Sequence, residues 1–429
     1  MIDIIKYPAK SDWAELLKRP AENNKSLRND VARILEDVKL DGDKAVQKYM
    51  QQFGGISLSS FEVAKSDWIS ASESISKDLK ESIEVAIKNI TTFHAAQKEN
   101  VSVIETVPGV SCWRKSVGIE KVGLYVPGGT APLLSTLLLL AIPAKIAGCK
   151  EIIVCTPPDN NGNIPPIILY CALRIGVDRI FKIGGAQAIA AMGYGTASVP
   201  KVYKIFGPGN QYVTCAKILL NAKGIAIDMP AGPSELAILA DDSCVPAFVA
   251  ADLLSQAEHG IDSQVLLVTN NEHVINEVIN CLEMQLLDLP RKEIAEQALL
   301  NSKAILVKTI EEGMDLLNEY APEHLIISCR NEELLSEKVI NAGSVFLGNF
   351  SPESAGDYAS GTNHTLPTNG FAKAYSGVSL DSFVKKITYQ KLSYEGLVSL
   401  GLVITEMAEA EGLRAHANAI TIRLKDKSK

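Results

Sequence analysis

The chain has 429 residues, 47% hydrophobic and 21% charged, with a formal net charge of -8. That length builds two or more domains with full cores, and the apolar content excludes a disordered chain. The acidic excess gives no basis for binding nucleic acid or an anionic membrane surface.

Met1–Pro20 carries no apolar core of signal-peptide length. The eight cysteines, at 112, 149, 155, 171, 215, 244, 281 and 329, form no Cys-x-x-Cys pair. Neither a thiolate zinc site nor a dithiol redox motif is visible, and a reduced, cytoplasmic chain with free thiols is expected. Residues 28–52 and 74–98 space their apolar side chains by three and four, which predicts amphipathic helices. From about residue 120 short apolar runs alternate with helical segments: Val122–Val126, Glu151–Cys155 and Arg179–Ile183. The most apolar stretch, Ala131–Ala144, is too short to span a bilayer and reads as a buried helix. A second series follows at Leu236–Leu239, Gln264–Val268, Ala304–Val307, Leu325–Ser328 and Ser344–Leu347, with helices such as Val245–Glu258 and His273–Leu286 between the runs. The alternation predicts an α/β fold of two Rossmann-like, incomplete, parallel-sheet domains. From Ser379 through Leu424 the chain reads almost wholly helical, as a C-terminal tail to pack on its own body or on a partner subunit.

Histidine is the commonest metal ligand and general base, and the chain has six: His94, His259, His273, His324, His364 and His416. His94 and His273 sit on charged helical segments and read as structural. Gln256 and His259, at i and i+3 near a helix end, project from one face, while Glu258 points elsewhere. That spacing suits one metal ion, although glutamine is an unusual ligand. The polar segment Ser351–Thr365 gathers Glu353, Asp357, Asn363 and His364 where a loop after a strand would bind ligand; a plain surface loop is the alternative. Glu323 and His324 are adjacent before an apolar run. On extended backbone they point to opposite sides, yet at a strand start both can border one cleft, and two proton-transfer groups suit a two-step reaction. Glu411 and His416 are five residues apart, about 140° around a regular helix, and so do not share a face. Glycine turns at Tyr125–Gly129, Gly184–Gln187 and Gly207–Asn210 follow strands, and Ala231–Glu235 precedes one. None fits G-x-G-x-x-G, yet several in one α/β unit make a nucleotide site plausible.

YVPGG (125–129), GGAQA (184–188), FGPGN (206–210), DMPAGPSE (228–235), QAEHG (256–260), APEHL (321–325), GNFSPESAGDYASGTNHTLPT (348–368) and EAEGLRAHA (409–417) together resemble the histidinol dehydrogenase family, in the family's order. The resemblance covers residues from about 120 to 420; the first hundred carry no distinctive motif. It implies NAD-dependent oxidation of L-histidinol to L-histidine through L-histidinaldehyde, the last step of histidine biosynthesis. It implies one Zn²⁺ per subunit on Gln256, His259, Asp357 and His416. Substrate would touch these four and Ser234, His324, His364 and Glu411, and NAD would lie around Tyr125, Gln187 and Asn210. His324 would be the general base and Glu323 would activate water for the second step. The family's homodimer exchanges tails, so Glu411 and His416 would enter the neighbour's site. The division implied is 1–25 as an N-terminal segment packing with the tail, 26–110 with 235–378 as the zinc-bearing α/β domain, 111–234 as the NAD-side domain, and 379–429 as the exchanged tail.

Three other readings compete. A zinc hydrolase fits the His/Asp/Gln set, with Glu323 as water activator, but has no use for three glycine turns at strand ends. A non-catalytic nucleotide-binding module does not need Glu323, His324 and four metal ligands. A diverged relative acting on another amino or polyol alcohol is set against the presence of Ser234, His364 and Glu411.

Overall fold

The computed structural model describes residues 2–19, 25–128 and 132–426. Gly129 of the first glycine turn and Ala131 of the apolar stretch lie outside the described residues. β1 (Asp3–Lys6) opens the chain, and β2 (Val103–Val107) and β3 (Val110–Gly118) form a hairpin. β4 (Lys121–Tyr125), β5 (Glu151–Thr156), β6 (Arg179–Lys182), β7 (Lys204–Phe206) and β8 (Ala226–Ile227) alternate with helices. So do β9 (Glu235–Ala240), β10 (Gln264–Thr269), β11 (Lys303–Leu306), β12 (His324–Ser328) and β13 (Ser344–Leu347), and β14 (Val384–Leu392) follows.

Met1–Ala96 and Ile119–Phe383 form one unit holding two parallel sheets, of order β6-β5-β4-β7-β8 and β1-β11-β10-β9-β12-β13. The predicted alternation is therefore present. β9 and β10, each with a continuous apolar run of four or more residues, are buried at every residue, as parallel strands covered on both faces must be. The helix Leu134–Ala147 takes up most of the apolar stretch and buries Ser135 through Ala144, with its C-cap at Gly148 in the left-handed region.

The early helices differ from expectation. Residues 28–52 are divided at Gly42 (φ +55°) into Lys25–Asp41 and Asp43–Gly54. Their apolar faces, with Val31, Leu35, Val46 and Tyr49, join one core layer of the five-stranded sheet, beside Ile153 and Ile189. The helix Lys77–Ala95 puts Ile83 and Ile90 into the opposite layer with Leu137 and Leu140. Residues 25–95 thus cover the five-stranded sheet rather than joining 235–378. The six-stranded sheet has no need of them: one face is covered by helices at 246–257, 272–286 and 292–300, the other by 310–320 with Trp13 and Leu17. The first residues form β1, which pairs in parallel with β11 at the sheet edge.

Gln97–Gly118 and Val384–Lys429 form the second unit. Here the expectation of an almost wholly helical tail is corrected. β14 pairs antiparallel with β3 over nine residues, and Trp113 stacks on Tyr389 with centroids 5.4 Å apart. Alternation along β14 is partly masked by its lysines, which hid it among helical segments. The helices Tyr394–Ala410 and Arg414–Lys425 follow, separated at Gly412 (φ +73°). Among the described residues no helix is long and apolar enough to cross a membrane.

Candidate active site

In each parallel sheet the chain reverses its direction of growth once, between β4 and β7 and between β9 and β12. Such a switch point leaves a crevice between diverging connections. In the five-stranded sheet the turns Val126–Gly128 and Gly207–Asn210 leave the strands' carboxyl ends there. In the six-stranded sheet it is the amino ends that matter. Glu235 and His324 are the first residues of β9 and β12, and the helix Pro246–Ala257 returns Gln256 to the same end. A cavity of about 650 Å³ is lined from both sides, by Gly128, Gly207 and Asn210 and by Ser234, Gln256, His259, Glu323, His324, Asp357 and His364.

Glu323 and His324 both hold the backbone of Glu235, and His324 Nδ1 lies 3.6 Å from Glu323 Oε2. The Glu235 N–H donates to Glu323 Oε2 at 2.9 Å, and His324 Nδ1 lies 3.1 Å from the Glu235 carbonyl oxygen. A carbonyl only accepts, so Nδ1 carries the proton and Nε2 keeps its lone pair. That Nε2 is buried without a hydrogen-bond partner and sits 3.9 Å from Asp357 Oδ1. Burial pulls the His324 pKa down to about 3, against the opposing bond to Glu235, so the ring is neutral near pH 7. Burial also holds His364 down, to about 4; its Nε2 meets Thr136 Oγ1 at 3.0 Å and its Nδ1 lies 3.7 Å from Asp357 Oδ1.

Three buried carboxylates surround the imidazoles. Burial raises Asp357 to about 7, and lifts Glu323 and Glu353 well above the usual carboxylate range, with mutual repulsion adding to it. Glu353 Oε1 is 3.6 Å from His324 Nδ1. Gln256, in the amide orientation that satisfies its neighbours, donates to Glu353 Oε2 at 3.1 Å and accepts from Glu235 N at 3.2 Å. His259 follows one turn on, its N–H bonded to the Gln256 carbonyl at 3.2 Å, open to the cleft but desolvated enough to lower its pKa. Ligand atoms of His324, Glu353 and Asp357 come within 4.8 Å of one another.

On the glycine side Asn210 lines the cavity and caps the helix Gln211–Asn221, accepting from Tyr212 N and Val213 N at 3.1 and 3.2 Å. Tyr125 and Gln187 are buried behind it; the Tyr125 hydroxyl accepts from Gly185 N at 3.0 Å. Gly207 has φ +122°, and a methyl there would stand 2.1 Å from the Tyr125 carbonyl oxygen, so only glycine fits. Lys217 and Asp228 form a buried ion pair under this turn: Lys217 Nζ donates to Gly207 O at 2.8 Å and Gly207 N donates to Asp228 Oδ2 at 2.7 Å.

Of the residues singled out from sequence, Ser234, Gln256, His259, Glu323, His324, Asp357, His364 and Asn210 line one cavity. Glu411 and His416 lie in the second unit, both exposed. The helix ends between them, so the 140° separation of a regular helix does not apply. Sequence reasoning passed over Thr136, Lys217, Asp228 and the pairing role of Glu235. It counted Glu353 in the polar cluster without giving it a task. The lone charge, a lysine, in the otherwise uncharged helix Gln211–Asn221 was the one signal that could have found Lys217.

The histidinol dehydrogenase family model matches residues 17–424. The chain is 60% identical over 424 residues to the histidinol dehydrogenase of Bacteroides thetaiotaomicron, covering 99% of both chains. It is 57% identical to that of Bacteroides fragilis over 423 residues, again 99% of each. The crystal structure of histidinol dehydrogenase from Elizabethkingia anophelis superposes with a TM-score of 0.96 at 53% identity, over 99% of this chain and 98% of that one. The hydrolase alternative finds no support among these relatives. With a match along nearly the whole chain, this protein belongs to the histidinol dehydrogenase family, oxidoreductases of histidine biosynthesis.

Proposed function

We propose that the cleft oxidises L-histidinol to L-histidine in two successive hydride transfers to NAD, with L-histidinaldehyde held between them. The observation that carries this reading is His324 Nε2: a neutral, buried base nitrogen with no hydrogen-bond partner, opening on a cleft whose far wall is glycine turns. The balance is one alcohol, one water and two NAD⁺ giving one carboxylate, two NADH and three protons. His324 Nε2 takes the hydroxyl proton as the carbinol carbon gives up its first hydride. The Nδ1–H bond to Glu235 strengthens as the ring becomes imidazolium. Glu323 then takes a proton from the water that adds to the aldehyde carbon, and the hydrated aldehyde gives up the second hydride. A carboxyl whose pKa is raised by burial is a stronger base when ionised than an exposed one. Holding the aldehyde through both steps prevents its escape.

The donors fit a divalent cation. Among the described residues Glu323, Glu353 and Asp357 form ion pairs only with His324 and His364, and no lysine or arginine balances them. Buried charge of one sign is stabilised by an opposite charge, and a nitrogen- and oxygen-rich set without thiolate suits Zn²⁺. Gln256, His259 and Asp357 would hold one zinc ion per subunit, with His416 of the partner subunit in a homodimer that exchanges tails. The ion supplies a fixed positive charge that orients the imidazole and amino groups of the substrate, beside Ser234 and His364 and with Glu411 of the partner subunit. NAD would lie over Tyr125, Gln187 and Asn210, against backbone that Gly207 leaves open. Eight free cysteines accord with a reducing, cytoplasmic setting.

The closeness of His324, Glu353 and Asp357 favours a second ligand set centred on those three. Zinc content separates the two: His259→Ala empties the site in the first arrangement and Glu353→Gln in the second. The function itself is tested by NADH formation from histidinol. Two NADH per histidinol, lost on chelation and regained with zinc, support it; no turnover by zinc-loaded protein refutes it. Mixing His416→Ala with Glu323→Ala protein tests tail exchange. Partial return of activity supports a shared site, and none, with heterodimers present, counts against it.

A further inference from the structure

We propose that Arg19 is a positioning residue for the Glu323–His324 pair, acting through Glu235; this rests on reading those two as the proton-transfer groups. Arg19 belongs to no motif and lies 216 residues from Glu235 in sequence. Its Nε donates to Glu235 Oε1 at 2.5 Å and its Nη2 to Glu235 Oε2 at 2.9 Å. The same Nη2 donates to the Tyr320 carbonyl at 2.7 Å, and the guanidinium lies over the Tyr320 ring, 4.0 Å from its centroid.

These contacts join two pieces of backbone that must stay in register for the chemistry. One is the start of β9, where the Glu235 N–H and C=O hold the Glu323 carboxylate and the His324 ring. The other is the turn Tyr320–Glu323, which delivers that pair to β12. The turn passes through Ala321 at φ +54°, a left-handed conformation that a non-glycine residue adopts only when its surroundings impose it. Arg19 supplies that imposition: its Nη2 donates to the orphan Tyr320 carbonyl at the end of the helix Ile310–Tyr320, with the charge sign a helix C-terminus favours.

Glu235 is the hinge of the arrangement. Its side chain is 2% exposed, and three donors reach its carboxylate: two from Arg19 and the Asn369 N–H at 2.7 Å. Without Arg19 a buried carboxylate keeps one donor. It must then turn toward water or take up a proton, and either response moves the backbone of Glu235 that both reactive groups hold. A planar fork meeting a carboxylate at two points cannot be replaced in full by an ammonium. A merely structural ion pair would have no such link, because its loss would lower stability and leave the catalytic geometry of the folded fraction intact.

The test uses the full, zinc-loaded chain and compares Arg19→Met, Arg19→Lys, Glu235→Gln, Glu323→Gln and His324→Asn. For each, kcat, KM for histidinol, KM for NAD, zinc content and the thermal midpoint are measured. In Arg19→Met the expected fall in kcat is about 100-fold, the loss that a misplacement of about 1 Å brings, with KM for NAD and zinc content unchanged. Arg19→Lys should recover part of it. The double variant Arg19→Met/Glu235→Gln should be no slower than the worse single one, since both cut one connection. Lys18→Ala, whose exposed ammonium pairs with Glu15, should keep wild-type kcat. Wild-type kcat in Arg19→Met overturns the proposal, as does a loss of rate that merely tracks the unfolded fraction, with KM for NAD rising alongside. Loss in Glu323→Gln and His324→Asn but none in Arg19→Met overturns the role of Arg19 alone. Full activity in Glu323→Gln and His324→Asn overturns the assignment of the pair, and this inference with it.

Discussion

The two parallel sheets meet the cleft in opposite ways. The five-stranded sheet turns the carboxyl ends of its strands toward it and presents backbone, at Gly128 and Gly207–Asn210. The six-stranded sheet turns its amino ends toward it and presents side chains, Glu323 and His324, both bonded to the backbone of Glu235, the first residue of β9. A strand's carboxyl end opens into a turn where peptide N–H groups and a helix start are free to face a phosphate-bearing ligand. A strand's first residue is already locked by ladder hydrogen bonds to its neighbours: His324 is in register with Leu236 on one side and Ser344 on the other. On the proposed reading the glycine turns would take the dinucleotide, and the ladder-locked strand starts would move the protons.

The comparison breaks most sharply at His324. His324→Asn should lower kcat by about 10²- to 10⁴-fold, the usual contribution of a positioned general base, with KM for NAD unchanged. A matching rise in that KM would show the two regions not to be separable. On the other side, Lys217→Met leaves Asp228 buried without its cation. It should cost about 3–5 kcal/mol, read as a drop in denaturant midpoint, and raise KM for NAD more than it changes kcat. Gly207→Ala forces a side chain onto left-handed backbone against the Tyr125 carbonyl; a loss of about 1–3 kcal/mol in NAD binding, by titration, is expected. The smallest effect lies where the regions touch. Thr136→Val removes the hydroxyl from His364 and should cost about 1 kcal/mol, seen as a several-fold higher KM for histidinol.

The strand series was legible because parallel strands buried on both faces are written as uninterrupted apolar runs, as in Leu236–Leu239 and Val265–Val268. β1, β2 and β14 were not, because their residues are mostly exposed or half-exposed and carry no such run. The site residues showed through their company: His324 beside Glu323, His259 one turn after Gln256, and Asp357 in a polar loop. The assignment of the early helices to a sheet failed for a definite reason. An amphipathic face states that it needs a partner without stating which one, and both sheets offer apolar faces.

By itself the sequence determined the α/β alternation, the polar and glycine-rich loops and the residues with chemistry to perform, since each is local in the chain. Only the tertiary structure decided that residues 25–95 cover the five-stranded sheet, that β14 pairs with β3, and that the backbone of Glu235 holds residues 88 and 89 positions away while Arg19 holds Glu235 from 216 away. Periodicity is read over a few turns or strand residues. Which buried carboxylate meets which guanidinium is settled only when the layers close and each desolvated charge must find its partner.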